Sequence, residues 1–365
     1  RGARRIVAGH NGLWPGMPFE LVVDVAGTVS SRGGGDYGAL GHGDEERRTR
    51  PTRLGIHLFG GSRAVLVACG HDHTALLTAV GGVFTCGAGE YGVLGHGDDT
   101  NKLLLTQVTV EHFVVRGKPI RIVMLAACAM HSVAVGDEGG MWTWGFGAFL
   151  GHNDTEDRHV PTPLALEALG GAKPKIVAAG GGHTVAVLDD GSLWAWGKNT
   201  NGQLGLGLEA HTVRVPTRVG AEDEFGGSRV LTAACGAEHT LAVTEAGALW
   251  SCGKGADGAL GLNDMIDRRV PTRVDAQRFG NTKIVSAAAG FAHSAVVTED
   301  GVLYTWGKGE KEVEEWRSEE GRHLWAMARE ASFCRLGRVI LFGRSNHRCK
   351  LKIVSRICHR KWSTS

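Results

Sequence analysis

The chain has 365 residues, 56 of them glycine, with 42% hydrophobic and 21% charged; this balance buries a sizeable core, excludes wholesale disorder and favours many tight turns over long helices. No apolar run approaches the roughly 18 residues of a membrane helix, and Arg1-Gly2-Ala3-Arg4-Arg5 leads into no apolar signal core, so the expectation is a soluble protein of the cytoplasm, with the nucleus as the alternative, whose eight cysteines stay reduced. The formal charge of +2 hides an asymmetry: residues 331–365 hold nine basic residues and no acid, leaving 31 basic against 38 acidic residues before them.

In chain order, the first element is a degenerate copy of the later repeats. Gly27, Gly33 and Leu40-Gly41 keep the later register, but Phe19 stands where later copies have histidine, and Ser30 and Arg32 replace aromatics. Five full copies then begin at His73, His131, His183, His239 and His293, each followed by Thr or Ser, at intervals of 58, 52, 56 and 54 residues. Eight residues after each histidine comes a glycine, eleven after it an aromatic, and fourteen after it a second glycine: Gly87, Gly145, Gly197, Gly253 and Gly307. The copy from His183 to Gly197 reads as two strands around an Asp-Asp-Gly turn, a β-hairpin signature. A Leu-Gly pair follows most second glycines by eight residues (Leu94-Gly95, Leu204-Gly205, Leu260-Gly261), but Leu150-Gly151 arrives two residues early. A Pro-Thr step at Pro161, Pro216 and Pro271 comes next, and an apolar strand such as Lys283-Ile284-Val285 leads into the next histidine.

Each copy is therefore a small, mostly antiparallel sheet of about four strands. Such units cannot bury both faces alone and stack radially. The predicted fold is all-β, a β-propeller of about six to seven four-stranded blades over residues 1–307, followed by an atypical C-terminal extension over 308–365. In that extension Glu310 to Ala331 is predicted helical, acidic first and basic later as the helix dipole favours. The basic tail after it contains two strand-like runs, residues 338–342 and 351–354, that would serve to close the ring.

The unit from Cys235 through His239, Gly247, Trp250, Gly253, Gly258 and Gly261 to Pro271-Thr272 resembles the regulator of chromosome condensation repeat. The resemblance covers residues 19–307. It implies a seven-bladed propeller, of which about six copies are visible here, and it brings in the activity of the family's founding member, guanine-nucleotide exchange on a Ran-like small GTPase. The founder carries a Phe-Arg-Asp stretch after the Trp-Gly of its third blade; no copy here has one, and Trp144 to Gly151 is shorter by two residues.

The repeated histidines look like catalytic or metal candidates, but one per blade is distributed around a ring, whereas ligands must converge. They and the glycines fourteen residues on are read as structural repeat positions. Cys69, Cys128 and Cys235 are read at one repeat position and Cys86 and Cys252 at the place of a tryptophan, as small core hydrophobes. Cys334, Cys349 and Cys358 with His347 and His359 lack the Cys-x-x-Cys pair that anchors a zinc site. Gly-x-Gly-x-x-Gly occurs at Gly33, Gly87 and Gly253, each time at the same repeat position and never opening a helix, so these are turn glycines and not a dinucleotide site. Phosphate-loop and nucleophile-elbow motifs are absent. No cofactor, metal or covalent catalysis is expected.

Function is then sought in the irregular loops of a regular scaffold: Asp44 to Arg48, Glu222 to Glu224, and the long connection from Asp98 to Arg121, with solvated charge runs as the plainer reading of the same segments. The predicted function is a non-enzymatic interaction scaffold that binds other proteins through blade loops. The alternatives are an exchange factor for a Ran-like GTPase, or a chromatin-associated regulator whose basic tail touches phosphates without sequence specificity.

Overall fold

The computed structural model describes residues 3–9, 18–220, 225–308, 313–317 and 324–328. Six consecutive antiparallel sheets, over residues 3–53, 64–107, 122–164, 174–218, 230–273 and 284–307, make a β-propeller; five have four strands and the sixth has three among the described residues. Strand order follows chain order in every sheet, as hairpin-connected meanders require.

Sheet 4 shows how the repeat builds a blade. Pro174–Ala179 is its inner strand, packed beside the inner strands of its neighbours. His183–Leu188 follows, apolar on both faces because blades stack on both sides, and all six residues are buried. The Asp-Asp-Gly turn, with Gly191 at φ 82°, returns the chain as Leu193–Lys198, and Thr212–Arg218 forms the half-exposed outer edge.

The repeat spacing is a register. His183 sits opposite Gly197, and the same pairing joins His73 to Gly87, His131 to Gly145, His239 to Gly253 and His293 to Gly307. Each of those glycines has φ between 99° and 112°, where L side chains are strained, and a β-carbon on it would lie 2.6–2.9 Å from the Cα of the opposing histidine. In the first sheet Phe19 takes the histidine's place opposite Gly33.

The hydrophobic core is divided among the blade junctions. Five clusters occur, each made of residues from two adjacent sheets, from Leu21 with Leu76 at the first junction to Val243 with Val296 at the fifth. Among the described residues no cluster joins sheet 6 to sheet 1.

The helix expected over Glu310 to Ala331 is corrected. Val313–Arg317 and Leu324–Ala328 pair as an antiparallel hairpin that sets Trp316 opposite Trp325. The charge order that favoured a helix contributes only about 0.3–1 kcal/mol, less than strand pairing of Trp- and Val-containing segments can offset. The strand-like runs over 338–342 and 351–354 lie outside the described residues.

Candidate interaction face and the buried histidine belt

The five repeat histidines lie at the start of the second strands, one in each of sheets 2 to 6, and all are buried. The first four each reach across a junction to the residue after the next histidine. His73 Nε2 meets Ser132 Oγ at 3.3 Å, His131 Nε2 meets Thr184 Oγ1 at 2.6 Å, His183 Nε2 meets Thr240 Oγ1 at 2.9 Å, and His239 Nε2 meets Ser294 Oγ at 2.9 Å. Three of these hydroxyls donate back to the blade that sent the histidine: Ser132 to the Val93 carbonyl (3.0 Å), Thr240 to Gln203 (2.7 Å) and Ser294 to Ala259 (2.8 Å).

That geometry settles the chemistry. A hydroxyl has one proton, and in these three pairs it is given to a carbonyl, so the imidazoles of His73, His183 and His239 must donate their Nε2–H to the hydroxyl oxygen. The pair is the reverse of a nucleophile and its base. Burial pushes His131 and His183 down to about 3 and His73, His239 and His293 down to about 4, from an ordinary 6.5, so all five are neutral at pH 7. The belt ties sheets 2 to 6, each to the next. At its open end, both ring nitrogens of His293 lack a partner among the described residues.

The carbonyl before four of the five Leu-Gly pairs takes a second donor from the neighbouring third strand. Trp144 Nε1 bonds Val93 and Trp306 Nε1 bonds Ala259, both at 2.8 Å, while Cys86 Sγ and Cys252 Sγ approach Ala39 and Gln203 at 3.7 Å. A thiol thus stands in for indole N–H at two junctions. Trp196 has no such bond; the carbonyl it would reach belongs to the copy shortened by two residues, between Gly145 and Gly151.

Cys128 departs from the reading that grouped it with Cys69 and Cys235. It stands three residues before its histidine, not four, in the place of Gly70, Gly180 and Gly236, and its Sγ lies 2.8 Å from His131 Nδ1, where the thiol donates. Burial pushes the thiols of Cys69, Cys128 and Cys252 up to about 12, so they are unreactive.

The loops named from sequence divide. Arg48 bonds both carboxylate oxygens of Asp44 at 2.7 Å, and Lys102–Asp98, Arg158–Asp154 and Arg268–Asp264 repeat the pair. The hydrogen bond from Arg48 holds Asp44 at about 2. The charge run is a clasp that turns each loop into its outer strand. Asp98 to Arg121 is two loops: the outer strand Lys102–Gln107 separates them and puts them on opposite rims. The second loop carries a small hairpin, Val114–Val115 with Lys118–Pro119, and Phe113 anchors it edge-on to Trp142 and Trp144. Residues 221–224 lie outside the described residues, as do Cys334, Cys349, Cys358, His347 and His359. Among the described residues no three His, Cys, Asp or Glu side chains come together to hold a metal, and no helix is long and apolar enough to cross a membrane.

The rim at the histidine end carries an arc that sequence reading missed. Tyr91 stacks edge-on against Phe146 (5.1 Å between ring centres), and Phe146 against Phe149 (5.0 Å). Phe149 lies over Gly182, beside Lys198. Lys198 and Lys254 both bond Glu238, at 3.1 and 2.6 Å. Although burial works the other way, these bonds hold Glu238 below its usual range. Tyr91, 38% exposed, stands at φ 59°, a turn conformation it shares with Tyr37 and Asp257 at the same repeat position. Four blades contribute to this continuous strip of aromatics and paired charge.

Fold and belt together define a radial repeat protein. The regulator of chromosome condensation (RCC1) repeat matches residues 26–77, 80–135, 138–187, 190–243 and 246–297, and the chain belongs to that family. It is 39% identical over 282 residues to the Ultraviolet-B receptor UVR8 of Arabidopsis thaliana, across 76% of this chain and 60% of the receptor. It is 33% identical over 303 residues to the human E3 ubiquitin-protein ligase HERC2, across 80% of this chain and 6% of the ligase. The chain thus spans less than two thirds of either relative. Prp20p of Saccharomyces cerevisiae, whose crystal structure is described with its binding to Gsp1p and histones, superposes with a TM-score of 0.67 at 26% identity, covering 84% of this chain and 72% of that one. Human WBSCR16 superposes with a TM-score of 0.66 at 26% identity, covering 78% and 70%.

Proposed function

We propose that the chain is a non-enzymatic scaffold that binds other proteins through the arc running from Tyr91 over Phe146 and Phe149 to Lys198, Glu238 and Lys254. The observation that carries this reading is the aromatic cluster: three rings fixed edge to face at a rim, beside charges held in a defined array. Rigid aromatic anchors bordered by charge are what protein interfaces use as hot spots. The scaffold works without covalent catalysis, because its repeated histidines donate to hydroxyls instead of activating them. We place it in the cytoplasm or nucleus, a reading supported by the unpaired thiols of the five described cysteines.

A second reading has a specific support. Prp20p, described as binding Gsp1p and histones, shares the fold over most of this chain, so exchange on a Ran-like GTPase or association with histones remains the alternative. Release of fluorescent GDP from a panel of small GTPases separates the two. The scaffold reading expects no acceleration, with partner capture lost in a Tyr91→Ser/Phe149→Ala variant that keeps its melting temperature. Acceleration of about a hundredfold or unchanged capture by that variant overturns it.

A further inference from the structure

Sheet 6 ends, among the described residues, at its third strand, Leu303–Gly307. The side chain equivalent to Thr305 is fully buried in the complete blades, as Thr85, Thr143 and Ser251 show, whereas Thr305 is exposed. In sheets 1, 2, 4 and 5 the outer strand runs out by donating an N–H to the first residue of the third: Leu54 to Val29, Val108 to Val83, Val219 to Leu193, Val274 to Leu249. The equivalent acceptor is the Leu303 carbonyl, and alternation along a strand then turns the N–H and C=O of Leu303, Thr305 and Gly307 outward together.

A second edge faces the same gap. Three residues after each leucine of the Leu-Gly pair, an N–H crosses to the next blade's outer strand: Gly43 to Leu103, Gly97 to His159, Asn153 to Arg214, Gly207 to Arg269, at 2.8–2.9 Å. Asn263 holds that position in blade 5 with φ 68°, matching Asn153 at 66°. Sheet 6 provides no outer strand for it among the described residues.

The built junctions say what fits. A β-carbon on Gly95 would lie 3.3 Å from Pro161, and one on Gly205 would lie 3.3 Å from Pro271, so the outer strand's proline seats on that glycine. Over Gly261 the three nearest atoms all belong to the Trp306 ring. Two residues before the proline, the base His159 pairs Asp99 and the base Arg269 pairs Glu209. The matching residue in blade 5 is Met265, 72% exposed next to Ile266 at 63%. An apolar side chain, not a base, belongs opposite it. All nine prolines of the chain lie at or before Pro271, so no residue after sheet 6 carries the proline that seats on this glycine in the built junctions.

We propose that the outer edge of sheet 6, Leu303–Gly307 with Gly261 to Ile266, is a strand-accepting site for a partner's extended segment of the form apolar-Val-Pro-Thr. The segment adds by β-augmentation: its backbone pairs with the outward groups of Leu303, Thr305 and Gly307 and with Asn263, its proline covers Gly261 beside Trp306, and its leading apolar residue packs on Met265. Occupancy also caps an edge that would otherwise template aggregation. This site is distinct from the rim arc, and the Tyr91→Ser/Phe149→Ala variant keeps it.

The test uses the full chain and two labelled peptides, Arg-Leu-Val-Pro-Thr-Arg and Arg-Arg-Val-Pro-Thr-Arg, followed by fluorescence anisotropy and amide exchange. Saturable binding is expected, at least fivefold tighter for the leucine peptide, with new protection at 303–307. Thr305→Pro, which removes an outward N–H and no bond to the second strand, weakens binding at least tenfold, and Thr305→Val does not. Met265→Asp reverses the peptide preference and reads the same site without altering the edge strand. Absence of saturable binding, equal affinity for the two peptides that Met265→Asp leaves equal, or amides at 303–307 already protected in the free chain overturns the proposal.

Discussion

Thr240 Oγ1 takes a hydrogen bond from His183 Nε2 at 2.9 Å and gives its own proton to the Gln203 carbonyl at 2.7 Å, joining blade 5 twice to blade 4 through one buried atom. Thr240→Val keeps the volume but strands a buried donor and leaves the carbonyl only the Cys252 thiol. The expected loss is about 2–3 kcal/mol in urea unfolding. Thr272→Val, which removes a hydroxyl bonded only locally at the surface, should stay within about 0.5 kcal/mol. Equal effects of the two would show that the belt does not join the blades.

Acid should unfold the protein earlier than its carboxylates alone would. The five belt histidines titrate near 6.5 when unfolded and are pushed by burial to about 3–4 when folded. Between those values the unfolded chain binds more protons. Stability is therefore fully present above about pH 6.5 and is lost as pH falls through the window toward 4, at about 1.4 kcal/mol per pH unit for each histidine. Urea midpoints at pH 7.5, 6 and 5 measure this; a flat profile across that range would contradict the buried, neutral belt.

The shortened copy between Gly145 and Gly151 leaves a difference between two tryptophans at one repeat position. Trp144→Phe loses the indole bond to Val93, while Trp196→Phe loses none. The former should cost about 1 kcal/mol more than the latter, by matched denaturant titrations. The reverse order would mean that Trp196 has a partner the fold does not reveal.

Gly253→Ala should be among the most damaging small substitutions. Its φ is 105°, and the new β-carbon would sit 2.7 Å from His239 Cα, a backbone contact that cannot swing away; about 3 kcal/mol or more is expected. Gly226→Ala, at φ 65° with nothing within 4 Å, should cost about 1–2 kcal/mol. Thermal melts of both distinguish steric from purely conformational demand.

Much of this was legible because backbone geometry forces it. A glycine fourteen residues after each histidine is a register partner, and the period betrays it in any copy, including the degenerate one where Phe19 faces Gly33. Cys128 was misplaced because a one-residue offset changes neither burial nor polarity class, only which atom it meets. The Asp44 to Arg48 run read as a binding loop because its recurrence as an ion pair four residues apart shows only across copies. The arc was invisible for another reason: Tyr91, Phe149, Lys198 and Glu238 come from four blades, and radial stacking alone makes them neighbours. Its one sequence trace is that Glu238 directly precedes a belt histidine, which fixes it to that rim.

The most direct test of the scaffold reading is lysine cross-linking with mass spectrometry on partners captured under native conditions. Cross-links to partner proteins should concentrate at Lys198 and Lys254 and disappear in the Tyr91→Ser/Phe149→Ala variant while its melting temperature holds. Partner cross-links spread evenly over the chain's other lysines, or retained in that variant, would contradict binding through the arc.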